Sequence, residues 1–303
     1  MSHEDSVYDG LLVDDAHWAF GGSFEDPLAG VDTTVPDGVD PSVLGTYALM
    51  LGDDALVMSQ RLAEWCSRAP DLEEDIALAN VALDLLGQAR LLLARAAAAD
   101  PGLLPTLPEG SPVPPEDRLA FFRDDHAYRN VRMVELPRGD FAETMARLLL
   151  FSTWRLALLG RLRGSRDAVL AALAAKGVKE VAYHRDLAAR WCVTLAGGTE
   201  ESRRRLATGL QELWPWWGEL LESHSVETTA AADDVGVDPT TLREECEGVL
   251  DQVLAACDLT RPDVPSREGI RGGKGRDGMH TEALSRLLAE MQVVARAHPE
   301  GTW

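Results

Sequence analysis

No lysine or arginine occurs before Arg61, although the same sixty residues hold twelve Asp or Glu. Over the whole chain 50 acidic residues stand against 29 basic ones, a net charge of −21. Such a shortage of positive charge argues against nucleic acid or an anionic membrane as the main partner. The four cysteines, Cys66, Cys192, Cys246 and Cys257, form no C-x-x-C pair and each falls within a helical pattern. They read as reduced, buried thiols of a cytosolic protein. The N-terminus lacks a basic stretch leading into an apolar run, which predicts no signal peptide and a cytoplasmic location. Strict apolar–polar alternation is missing, so no strand is expected, and there is no internal repeat. G-x-S-x-G elbows and Walker loops are absent. The one G-x-G-x-x-G, Gly273–Gly278, has no strand before it, and the dinucleotide reading fails. Two readings of this basic loop remain: a phosphate holder entering a helix N-terminus, or a flexible connector.

What is present is helix. With 303 residues, 46% of them hydrophobic, the chain can bury a full core as one large domain or two modest ones. Leu72–Ala99 is apolar on every side from Ile76 to Ala94. Such a helix is surrounded by protein or lipid. Asn80, Asp84, Gln88 and Arg90 interrupt it before the roughly 18–20 apolar residues of a membrane span, which favours protein. Asn80, Asp84 and Gln88 are spaced i, i+4, i+8 and form one stripe, predicted to face a bundle interior as a hydrogen-bond ladder or a ligand site.

Helical periods cover Leu44–Cys66, Glu116–His126, Asp140–Leu162, Arg166–Leu195 (capped by Ser165), Thr199–Glu222, Thr240–Cys257 and His280–Ala297. Pro215 interrupts the fifth within Leu213-Trp214-Pro215-Trp216-Trp217, an aromatic cluster too large to stay exposed on a monomer. The expected fold is all-α: two long hairpins forming a ferritin-like four-helix bundle, with further helices at the C-terminal end. Residues 1–43 read as an acidic arm whose Trp18, Phe20 and Phe24 dock on a neighbour, and residues 44–303 as the helical domain.

Two hairpins raise the question of a carboxylate-bridged di-metal centre, which needs a Glu from each of two helices and a Glu-x-x-His from each of the others. Only Asp14/His17 and Asp277/His280 place an acid three residues before a histidine, and neither lies in a bundle helix. Asp84 is followed at that spacing by Gly87, and Glu180 by Tyr183, with His184 one place too far. The third bundle helix has no carboxylate after Glu143; Ser152 and Thr153 occupy its middle. Glu64, Asp84, Glu180 and His184 therefore read as a hydrogen-bonded core, with no metal. Arg123, Arg129, Arg132 and Arg138 form a basic island that either steers an anion or pairs locally.

Several blocks carry a resemblance: residues 59–90 (SQRLAEWCSRAPDLEEDIALANVALDLLGQAR), VELPRGDFAET, KEVAYHRDL, GGTEES and HTEALSRLLAEMQ. In that order, from about residue 44 to the end, the chain resembles the C-subunit family of bacterial ring-1,2-phenylacetyl-CoA epoxidases, ferritin-like proteins of aerobic phenylacetate breakdown. The resemblance implies a structural subunit without a working metal site. It implies a di-iron centre in a partner catalytic A subunit, and flavin and iron–sulfur in a partner reductase. Two other classes stay open: a free-standing ferritin-like oxidase and a helical binding protein of unrelated role. Should the chain touch the coenzyme, Ala127-Tyr128-Arg129-Asn130 offers a small residue, a planar group, a cation and an amide at a loop. Lys274 and Arg276 come second.

Overall fold

The computed structural model describes residues 30–301. Among them are nine α-helices and no strand, only an isolated bridge between Ile270 and Gly273. The acidic arm's Trp18, Phe20 and Phe24 lie outside the described residues.

Helix α1 (Pro41–Ala63) opens with a proline behind Asp40, whose carboxylate accepts from Ser42 N at 2.9 Å. Helix α2 (Leu72–Ala99) is capped by Asp71, and the two form the first hairpin. The second pairs α4 (Phe141–Leu162), capped by Asp140, with α5 (Ala168–Gly197). Asp167 caps α5 in place of the predicted Ser165. The Ser165 hydroxyl is engaged elsewhere: it donates to Val235 O and accepts from Asp167 N.

The bundle is organised around α1 and α4, not α2. Seventeen of the 23 residues of α1 and seventeen of the 22 of α4 are buried, against twelve of 28 on α2. Close approach of α1 to α2 depends on Gly52, where a Cβ would come within 2.9 Å of the Leu93 side chain. At one end the hairpins are joined by aromatic edges: Phe141 meets Trp65 at 5.7 Å and Trp191 at 5.0 Å.

The remaining helices clothe this bundle. The short α3 (Pro115–Phe121) rests on α2, and α6 (Glu200–Leu220) lies along α4. Helix α7 (Ser225–Ala232) covers α1, α8 (Arg243–Ala256) sits on α4 and α5, and α9 (Glu282–Ala297) meets α3. The helix predicted over 116–126 stops at Phe121, since Arg123 bends back to donate to Leu119 O and reach α1. Asp238 caps a 3₁₀ turn, Pro239–Leu242, so the helix predicted from Thr240 starts only at Arg243.

The segment ahead of α1 is tied down by two arginines. Arg95 donates to Thr33 O and Thr34 O, and Arg166 to Asp37 O.

Candidate functional site

Where a metal-binding bundle would converge its carboxylates, this one runs a single polar chain. Gln88 on α2 donates to Glu180 on α5 at 2.9 Å and accepts from Arg155 Nε on α4 at 2.9 Å; Arg155 Nη1 reaches Leu51 O on α1 at 3.3 Å. One helical turn away, Asp84 and His184 meet at 3.0 Å. Asp84 and Gln88 thus occupy the predicted stripe, but Asn80 points to solvent. Glu64 belongs to no such site; it pairs with Arg61 at 2.6 Å where α1 ends. The core reading of Asp84, Glu180 and His184 therefore describes two separate contacts, and excludes Glu64.

Arg155 is the residue the sequence did not expose. Fully buried, its guanidinium is driven down to about 10 by desolvation, with the nearby Asp54 opposing. A fixed cation in the bundle centre repels a metal ion. The donor set does not fit a di-iron pair. Among the described residues the carboxylates close enough to share a cation are Asp71, Glu73 and Glu74. They are exposed or half-exposed at the start of α2, where Asp71 accepts from Glu74 N as the helix cap.

A second set of buried charges lies behind α1. Asp53 and Asp54, adjacent and with no solvent exposure, fasten two segments to α1. Asp53 pairs with Arg123 and accepts from Arg129 N at 2.8 Å. Asp54 takes Arg276 through two parallel bonds of 3.0 and 2.9 Å and accepts from Val131 N at 2.8 Å. Burial drives the Asp54 carboxyl up, opposed by Arg276; burial would lower Arg276, but Asp54 and Glu227 outweigh it and hold it charged. Glu219 fastens Arg132 at 2.7 Å and accepts from Gly275 N at 3.1 Å. The acids could have been noticed: an adjacent pair inside an otherwise apolar run from Tyr47 to Met58.

These clamps revise two expectations. The basic island is largely internal, with Arg123 and Arg132 buried in ion pairs and Arg138 stacked 4.5 Å over Trp65. The Gly273–Gly278 loop does not open a helix. It closes a 3₁₀ turn, Gly275–Asp277, and α9 starts only at Glu282. Its cations are engaged, Arg276 with Asp54 and Lys274 with Glu222. A Cβ at Gly275 would fall 2.0 Å from Asn130 O, so glycine there serves close packing rather than phosphate.

The loop predicted to meet coenzyme A is turned inward at two of its four positions. Tyr128 is fully buried; its hydroxyl donates to Ala120 O and accepts from Gln292 at 3.1 Å, and its ring lies 4.1 Å under Arg123. Asn130, equally buried, donates to Glu135 at 2.9 Å. Ala127 is half-buried. Arg129 is half-buried too, with Nη1 on His126 O and Tyr128 O. His280 completes this cluster: Nδ1 meets Glu135 Oε2 at 2.8 Å and Nε2 meets Tyr128 O at 3.0 Å. Desolvation would lower this imidazole, but the Glu135 carboxylate outweighs it and raises it.

A groove of about 860 Å³ lies beyond, lined by Arg61, Glu64, Cys66, Trp216, Arg267 and Arg286. Cys66 is exposed there, in the turn after α1, contrary to the expectation of four buried thiols; the other three are buried. Of the tryptophan cluster, Trp217 is buried, and Trp216 lies between Arg132 at 5.2 Å and Arg267 at 5.1 Å.

Residues 33–303 match the sequence family described as phenylacetic acid catabolic protein. A relative from Escherichia coli strain K12, the C subunit of 1,2-phenylacetyl-CoA epoxidase, is 41% identical over 260 residues, which cover 86% of this chain and 99% of the relative. With a family match over residues 33–303 and a relative matched over most of both chains, this all-helical chain belongs to the phenylacetic acid catabolic protein family.

Proposed function

We propose that this chain is the non-catalytic, structural subunit of a multicomponent di-iron oxygenase that epoxidises the ring of phenylacetyl-CoA in aerobic phenylacetate degradation. The observation that supports it is Arg155, a guanidinium at the bundle midplane bonded to the neutral amide of Gln88. The name of the E. coli relative, the C subunit of that epoxidase, fits the same role. On this reading the chain is cytoplasmic and holds no cofactor of its own. The irons reside in the catalytic A subunit, and electrons arrive through a reductase that carries flavin and iron–sulfur. A free-standing oxidase would need metal ligands where Gly87, Tyr183 and Arg155 stand.

Reconstitution tests this. The chain purified alone is expected to contain well under one iron per molecule. Mixed with the catalytic and reductase subunits it should restore turnover that is lost when it is left out. About two irons bound per isolated chain, the complement of a carboxylate-bridged site, would overturn the proposal.

A further inference from the structure

Helix α2 is apolar on two opposite faces. One, with Leu78, Val81, Ala82, Leu85, Ala89 and Leu92, is buried in the core. The other carries Leu72, Ile76, Ala79, Leu83 and Leu86, which step by four, three, four and three residues. That is the spacing of a coiled-coil seam, in which each side chain is a knob for the holes of a facing helix. Among the described residues its four large side chains stay open: Leu72 is 70% exposed, Ile76 53%, Leu83 56% and Leu86 38%. The small Ala79, half-buried at the middle, leaves room there for a larger side chain from the facing helix. Single exposed leucines are ordinary, but a continuous stripe over four turns marks an interaction surface. Next to Leu86, a Cβ on Gly87 would find nothing within 4 Å, so the backbone is open to close approach.

We propose that this seam is where a helix of the catalytic partner bundle docks; the inference rests on the structural-subunit reading above. The charges flanking the seam choose the occupant. Glu73, Glu74 and Asp75 crowd its Leu72 end, whereas Arg90 ends the stripe at the other and is already held by Glu116 at 3.4 Å. A second copy laid antiparallel would offer only that engaged Arg90 to three acids, and would bring together two chains of net charge −21. The fitting partner helix carries an apolar seam with lysine or arginine beside the end that meets Leu72.

The test uses the full chain and the purified catalytic subunit, with association followed by sedimentation. Leu83→Asp and Leu86→Asp, both on the exposed stripe, are expected to keep the melting temperature and raise Kd by about 30-fold or more, as for a central apolar contact. Val293→Asp, on an exposed position of α9, should leave Kd unchanged. Hydroxyl-radical footprinting of the unmodified complex should show Leu83 and Leu86 protected, a readout independent of any variant. Wild-type affinity in both seam variants, with the two leucines unprotected, would overturn the seam and leave the subunit reading standing. So would a homodimer that Leu83→Asp dissolves, or flotation with phosphatidylglycerol vesicles that it abolishes, while the catalytic subunit still binds. Failure of the unmodified chain to bind the catalytic subunit at all would overturn both.

Discussion

Asp54 and Arg155 are buried on neighbouring helices, and each lies near the other's charge, yet their partners differ in kind. Asp54 meets Arg276, 222 residues away, in two parallel bonds and takes a backbone N–H as well, so the pair is matched. Arg155 meets an amide oxygen and a distant carbonyl, and its Nη2 has no partner among the described residues. Ion pairs behind α1 act as clamps: Asp53 and Asp54 fix the 123–132 segment and the 274–277 loop to the first helix. At the midplane no carboxylate is bonded to the guanidinium, and it gives the bundle centre the sign that opposes a metal cation. The same residue type thus builds scaffold in one place and works against metal binding in the other. Arginine dominates both roles; it supplies twenty-six of the 29 basic residues, and its fork satisfies two acceptors at once where a lysine offers a point charge.

The sharpest way to break this distinction is to remove one member of each set. Asp54→Ala leaves Arg276 buried beside an unpaired Val131 N, and the expected loss is about 3–5 kcal/mol in urea unfolding. Arg155→Met fills a similar volume without charge. It strips Gln88 Oε1 and Leu51 O of a donor and takes a cation away from near Asp54 without breaking a bonded ion pair, for an expected loss of about 1–2 kcal/mol. Equal losses would mean that Arg155 is as firmly paired as Arg276.

How much of this was legible beforehand depends on range. Helix positions were, because period and caps are local: Asp140 with Glu143 marks the start of α4. The poor fit of the donor set to a metal pair was legible too, from the missing i+3 partners of Asp84 and Glu180. Partners of buried charges were not, because Asp53 and Arg123 are 70 residues apart and no spacing rule joins them. For α2 the failure has a different cause. Hydrophobicity shows that a face is apolar but not which molecule covers it, so a helix half covered by its own chain reads like one fully enclosed. The inward turn of Tyr128 and Asn130 was hidden for the same reason as the clamps: Glu135 and Gln292 claim them through the fold.

His280 offers an intermediate case, a clamp that titrates. Both ring nitrogens face acceptors, Glu135 Oε2 and Tyr128 O, so the folded geometry favours the imidazolium, in keeping with its raised pKa. A group raised on folding stabilises fully below its unfolded value, about 6.5, and that contribution fades as pH rises through the folded value. Unfolding of the wild type and His280→Gln should therefore differ most near pH 6, by about 1–3 kcal/mol for charge-assisted bonds, and converge towards pH 9. A difference independent of pH would show that His280 is neutral when folded and that this clamp belongs with the uncharged contacts.

Arg129 lies at the far end of the series, its guanidinium half outside and engaged through Nη1 alone. It is the only charged member of the loop proposed to meet acyl-CoA, and with Tyr128 and Asn130 turned inward it is also the longest side chain left to reach outward. Two carbonyls already hold one edge of the fork, so a ligand would gain only the other. Arg129→Ala, assayed in the intact complex, is expected to raise KM for phenylacetyl-CoA by about threefold or less, roughly 0.6 kcal/mol, with kcat unchanged. Unfolding free energy should move by no more than about 0.5 kcal/mol, as for a surface substitution. A tenfold rise in KM at constant kcat would reverse the ranking. It would make Arg129 a ground-state contact to the coenzyme, and on the function proposed above the substrate would then be shared between this chain and a catalytic subunit.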